Sequence, residues 1–128
     1  ALFDCASRYE NYGASSNQAQ GSAGSSSKNT FGAIAFSRDT GANGYSFQYD
    51  SLSGAEARAL KECSAYASDC TVASSFSNAC GALAVGDGNG WGSSRAESII
   101  KAERNALATC RSCDNKNCDI KVSVCSYD

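Results

Sequence analysis

Apolar residues along the chain fall into short runs of period two or period near 3.6, and these runs recur in the same order twice. Phe31-Gly32-Ala33-Ile34-Ala35-Phe36 alternates like a strand, with Ile34 and Phe36 on one face and small residues on the other. The cluster Asp39-Thr40-Gly41-Ala42-Asn43-Gly44 predicts a turn, and Tyr45-Ser46-Phe47-Gln48-Tyr49 a second strand. Ser53-Gly54-Ala55-Glu56 has capping-box spacing, so a helix is expected to open there with Ala59, Leu60, Cys63 and Ala67 on one stripe. Residues 71–76 predict a third strand, with Val72, Ser74 and Phe76 on one side. The order then repeats. Ala82-Leu83-Ala84-Val85 is a strand, Asp87-Gly88-Asn89-Gly90 a turn, and Trp91 begins a short strand. Ser94-Arg95-Ala96-Glu97 offers another capping box, before a helix presenting Ile99, Ile100, Glu103, Ala106, Leu107 and Cys110. Residues 119–125 form the clearest strand, with Ile120, Val122 and Val124 pointing one way and Asp119, Lys121 and Ser123 the other.

The recurrence is an internal repeat. Leu60 and Leu107 are 47 residues apart, as are Cys63 and Cys110, and Cys70 and Cys118 are 48 apart. Two copies are too few for an open solenoid, so two β-β-α-β units related by a pseudo-twofold axis are expected. The expected fold class is α+β, a mainly antiparallel sheet with two helices packed on it. Residues 1–30 read as an N-terminal arm, with Cys5 as an anchor and a Gly/Ser-rich stretch over residues 13–30. Residues 31–128 read as a single disulfide-rich domain of two repeats, 31–80 and 81–125.

Eight cysteines with no histidine and no methionine change the picture from an ordinary small domain to one built for an oxidising compartment. The layout predicts the bonds. In each repeat one cysteine closes the helix and another opens the next strand, giving Cys63–Cys70 and Cys110–Cys118. Cys80 and Cys125, at equivalent strand ends, are expected to pair across the pseudo-twofold. Cys5 and Cys113 remain, to pin the arm to the second helix–strand loop or to join two chains. Cys110-x-x-Cys113 with Cys118 has one zinc-knuckle spacing, but no second knuckle and no His, so a disulfide framework is the stronger reading. The net charge of −2 lacks the basic face that nucleic acid requires. No apolar run approaches the roughly 20 residues of a membrane span. With no signal peptide visible, the chain is expected to be a processed form beginning at Ala1, located outside the cell or in a periplasm.

The order G-A-x-A, A-x-x-x-A-L-x-x-C, C-x-V and C-x-A-x-A, run through twice over about residues 31–125, resembles the bacterial secreted proteins catalogued as domain of unknown function 4189. The resemblance implies an exported, disulfide-bonded unit. It implies no catalytic residues, and Cys5, Cys113 and the arm depart from its pattern.

The absence of histidine removes Ser-His-Asp and Cys-His schemes, and no serine sits in a G-x-S-x-G elbow. Glu56 and Glu103 are repeat equivalents and would be a carboxylate pair if they faced each other, although both have ordinary helical roles. Asp87-x-Asn89-x-x-Gly92 resembles the start of a calcium loop, but Trp91 and Ser98 stand where the pattern needs oxygen ligands, and a hairpin turn explains the same residues. Tyr45, Tyr49 and Trp91, if solvent-facing, would form an aromatic platform for sugar rings or a protein partner, against the plainer reading of half-buried sheet residues. Phe3, Tyr9 and Tyr12 are the apolar anchors of the arm. No catalytic residue, metal or cofactor is expected. The expected function is a non-catalytic secreted module, a structural subunit that self-assembles or binds an extracellular partner through its arm and sheet edges. The alternatives are an inhibitor of a secreted or periplasmic hydrolase and a small carbohydrate-binding or carbohydrate-active protein. The partner is then a second copy, another extracellular protein or a glycan, with neither nucleic acid nor a membrane span involved.

Overall fold

The computed structural model describes residues 29–112 and 115–127. The elements run β1 (Phe31–Phe36), β2 (Asn43–Tyr49), α1 (Leu52–Ser64), β3 (Thr71–Ser77), β4 (Cys80–Val85), a 3-10 turn (Asp87–Asn89), β5 (Trp91–Ala96), α2 (Ile99–Ser112) and β6 (Asp119–Cys125). This is β-β-α-β twice, an α+β chain. The strands divide into two antiparallel three-stranded sheets, β2-β1-β3 and β5-β4-β6, so each repeat builds one sheet with its own helix.

Alternation in the two central strands sets the layers. Ile34 and Phe36 of β1 and Leu83 and Val85 of β4 point into a shared core with Phe76, Ala73, Ala79 and Val122, which joins the sheets face to face. The opposite faces carry mainly small residues, with Phe31 at the start of β1 the exception. Ala33 and Ala35 pack on Ala55, Ala59 and Cys63 of α1, while Ala82 and Ala84 pack on Ala102, Ala106 and Cys110 of α2. Each helix thus lies on the outer face of its sheet, in a helix–sheet–sheet–helix stack. The approach is close because the facing strands also carry glycine. A Cβ on Gly44 would stand 2.4 Å from the Ala59 carbonyl oxygen, and one on Gly92 2.4 Å from the Cys110 nitrogen. Large side chains cannot enter such seams. Ile99 and Ile100, which the helical pattern groups with Ala106 and Cys110, are exposed, and Leu107 is only partly buried. Phe76 occupies the centre of the inter-sheet core, its ring filling the space above Gly32 and Gly81, where added Cβ atoms would stand 2.5 and 2.4 Å away.

Three details of the expected elements change. The helix caps fall outside the anticipated boxes: Ser51 accepts from the Gly54 N–H to open α1, and Ser98 accepts from the Lys101 N–H to open α2. β5 continues through Ala96, so Ser94-Arg95-Ala96-Glu97 is mostly strand. The outer strands also carry matching bulges. The β1–β3 register slips between Ile34 and Ala35, and the β4–β6 register between Leu83 and Ala84, inserting Ala73 and Lys121. An inserted residue reverses alternation beyond it. Val72 therefore pairs with the helix-facing Ala35 while Ser74 pairs with Ile34, and Ile120 packs toward α2 while Val122 and Val124 pack between the sheets.

Disulfides join Cys63 to Cys70 and Cys110 to Cys118, tying each helix end to the strand that follows. Cys80 is bonded to Cys125. That bond lies within the second sheet, where the two residues are directly opposite in β4 and β6, and does not cross the pseudo-twofold. Its first-repeat counterpart is the Phe31–Ser77 pair. Cys80 thus opens the second repeat rather than closing the first. Cys5 and Cys113, with their expected bond, and residues 1–28 of the arm lie outside the described residues.

Candidate functional site

Among the described residues β2 is an edge strand, paired with β1 on one side, with one further backbone bond at its end from the Gln48 N–H to the Ser126 carbonyl at 2.8 Å. Gly44 and Ser46 turn toward α1, where the Ser46 hydroxyl donates to the Ala55 carbonyl at 2.7 Å. Tyr45 pairs with the inward-facing Ile34 and so lies on the inter-sheet side, yet it is 43% exposed, and Phe47 beside it is 44% exposed. Their rings are nearly parallel, 6.5 Å between centroids at 13°. Below them the second sheet presents β6, and Asn43, Tyr45, Phe47 and residues 121–124 line a shallow groove of about 380 Å³. Around the edge, a second hollow of about 280 Å³ is lined by Tyr45, Ser46, Phe47, Tyr49, Arg58 and Glu62. Arg58 and Glu62 form an ion pair there, Nη2 to Oε2 3.0 Å.

The opening is where the internal symmetry breaks. At the register position of Tyr45, β5 carries Ser93, opposite Leu83 as Tyr45 is opposite Ile34. Ser93 is buried, its hydroxyl donating to the Ala73 carbonyl at 2.8 Å, and Trp91 on the same face packs into the inter-sheet core, so that side of the sandwich is closed. On the β2/β6 side the rings of Tyr45 and Phe47 stand at the positions that Ser93 and Arg95 hold in β5, and the seam stays open.

The three residues expected to form a platform are not brought together. The β1–β2 register slips between Phe31 and Ala33, with Gln48 at φ 61°, so Tyr49 pairs with Phe31 on the α1 face while Tyr45 lies on the other. Tyr45 and Tyr49 meet only around the edge of β2. Trp91 packs into the inter-sheet core against Phe36, centroids 5.8 Å apart at 57°. Phe47 is the neighbour Tyr45 has instead, and the period-two pattern already placed it on the same face. Phe3, Tyr9 and Tyr12 lie outside the described residues.

Glu56 and Glu103 are carried by helices on opposite outer faces of the sandwich. Two sheets about 10 Å apart separate them, which rules out a pair at the roughly 5–10 Å that glycoside hydrolysis uses. Glu103 Oε2 instead accepts from the Ser123 hydroxyl at 2.7 Å. Asp87 and Asn89 serve the turns: Asn117 Nδ2 donates to Asp87 Oδ2 at 2.8 Å, and Asn89 Nδ2 to the Arg38 carbonyl at 2.9 Å. In the first repeat the matching clasp is inverted in polarity. Ser37, fully buried, donates its hydroxyl to Asp69 Oδ1, and this bond above all holds the Asp69 carboxyl below its ordinary pKa, helped by the Asp39 N–H. Both clasps fasten a helix–strand loop to a hairpin turn, at the end of the sandwich away from Tyr49.

A strand edge with no partner strand among the described residues, flanked by exposed aromatics, offers backbone donors and acceptors with apolar contacts beside them, which is the chemistry of strand addition. No curated protein and no solved structure matches the chain. The chain belongs to the family described as domain of unknown function (DUF4189), whose model matches residues 31–125.

Proposed function

We propose that the protein is a non-catalytic, exported structural module that works by pairing its sheet edges with another protein chain, a second copy or an extracellular partner. The observation that carries this reading is the open β2/β6 side: an edge strand with Tyr45 and Phe47 exposed side by side over a groove. Three disulfides support export, because such bonds persist in oxidising compartments. Among the described residues no helix is long and apolar enough to cross a membrane. The inhibitor and carbohydrate readings have less behind them, since the hairpin turn at Asp87 is clasped to Asn117 and Trp91 is committed to the core.

Size-exclusion chromatography with light scattering, and negative-stain microscopy, performed with and without residues 1–30, test the reading. Oligomers or filaments of the full chain are expected. A monomer in both forms at every salt and protein concentration, with no partner retained, would sink it.

A further inference from the structure

We propose that two copies of the chain join through β2, antiparallel about a twofold axis at Tyr45, so that the first sheet continues unbroken from one copy into the other. This rests on the edge-pairing reading above and adds the edge, the partner and the register.

Natural edges are protected by charge, bulges or burial, and β2 is the least protected of the four here. β6 carries Asp119 and Lys121, with a bulge at Lys121. β5 carries Arg95. β3 has a bulge at Ala73, and its residues from Ser74 to Ser77 are buried. β2 has no charged residue and no proline between Asn43 and Tyr49, and its one bulge is at its end, at Gln48, whose N–H donates to the Ser126 carbonyl. The uninterrupted register runs from Asn43 to Ser46, Phe47 follows it, and Tyr45 is the exposed aromatic within it.

An isologous interface must complement itself, and this stretch does so in two ways. With the axis at Tyr45, that ring stands opposite the partner's Tyr45, and Phe47 lies diagonal to it, within reach of aromatic side chains. Two near-parallel rings become a row of four. On the other face, Ser46 is level with Ala55 and Gly44 with Ala59 and Cys63, so the Arg58–Glu62 turn of α1 runs alongside the middle of the stretch. Arg58 and Glu62 line the edge hollow with Tyr45, one cation and one anion on each rim. Rotation about the axis reverses their order in the partner, so Arg58 of each copy faces the partner's Glu62 end. The charges match without any second protein.

The test is sedimentation velocity on the full chain up to about 1 mM, with far-UV circular dichroism to show that each variant is folded. Wild type is expected to dimerise. Tyr45→Lys, which puts like charges directly opposite at the axis, should weaken the dimer by on the order of tenfold or more. Arg58→Glu should weaken it too, and Arg58→Glu combined with Glu62→Arg should restore it. In an equal mixture of isotopically labelled and unlabelled wild type, contacts between Tyr45 rings of different copies should appear in filtered NMR spectra, an arm that needs no variant to fold. An assembly that persists unchanged in folded Tyr45→Lys, or that lacks the Tyr45 contacts, overturns the β2 dimer and leaves the broader edge-pairing reading standing. A monomer throughout, with no partner retained, overturns both.

Discussion

Replacing Gly44 by alanine adds one methyl group at the tightest point between α1 and the first sheet. The new Cβ would lie 2.4 Å from the Ala59 carbonyl oxygen, 2.5 Å from the Cys63 nitrogen and 2.8 Å from the Glu62 Cβ, where ordinary contact begins at 3.4 Å. Two of these atoms are backbone, so no rotamer change relieves the clash, and the helix must retreat by roughly 1 Å. That movement opens the seam whose buried centre is Ala33, Ala35, Ala55, Ala59 and Cys63, with Phe31, Tyr49 and Leu60 packed around it. Overpacking of this kind costs about 1–3 kcal/mol, and the backbone contacts place Gly44→Ala at the upper end, about 3 kcal/mol. The expected readout is a fall of on the order of 1 M in the guanidinium chloride midpoint. Gly92→Ala should behave alike, since its Cβ would meet the Cys110 nitrogen at 2.4 Å and the Thr109 carbonyl carbon at 2.9 Å. The two seams lie on opposite outer faces, so the effects should add. Gly88→Ala is the control: its Cβ meets nothing within 4 Å, and only its φ of +69° is strained, a penalty of about 1–2 kcal/mol. If Gly44→Ala unfolds no earlier than Gly88→Ala, the close helix–sheet approach is wrong.

Other consequences are separable. Phe76→Ala empties the space beside Gly32 and Gly81 and should cost about 3–5 kcal/mol in denaturant unfolding. The chain-entropy relation gives about 4 kcal/mol for the Cys80–Cys125 bond, with a sequence separation of 45, and about 2.5 kcal/mol for Cys63–Cys70, with a separation of 7. The paired Ala variant of the first should therefore melt well below that of the second. Asp69 has a lowered pKa in the folded chain, so its contribution is complete above the ordinary carboxylate range and is lost as pH falls through the depressed value. Between pH 6 and pH 2, Asp69→Asn should flatten the wild-type fall in denaturant midpoint, and an unchanged acid profile would contradict the clasp with Ser37.

Much of this architecture was legible in the sequence because a repeat constrains every element twice. The spacing of Ala59 and Cys63 from Ala106 and Cys110 marked both buried helix stripes and, with the strand order, the unit. What alternation cannot reveal is an inserted residue. Nothing distinguishes Ala73, Gln48 or Lys121 from regular strand positions, yet each bulge turns its neighbours over, sending Val72 and Ile120 to the helix face and parting Tyr49 from Tyr45. The caps were misplaced because serine is abundant near both helix starts, and the choice of Ser51 and Ser98 follows from where the preceding strands end. Ile99 and Ile100 matched the helical period, yet at the start of α2 both are exposed. The open edge was half visible: Phe47 lay in the pattern beside Tyr45, but that β5 closes its side with Ser93 while β2 does not is a property of the packed sheets.

Edge pairing through β2 is tested most directly by amide hydrogen exchange measured at about 5 μM and about 500 μM, a range that spans dimerisation in the micromolar region. The account predicts that exchange over residues 43–47 slows as concentration rises, while β5 and β6 keep their rates. Exchange in β2 that is the same at both concentrations would contradict it.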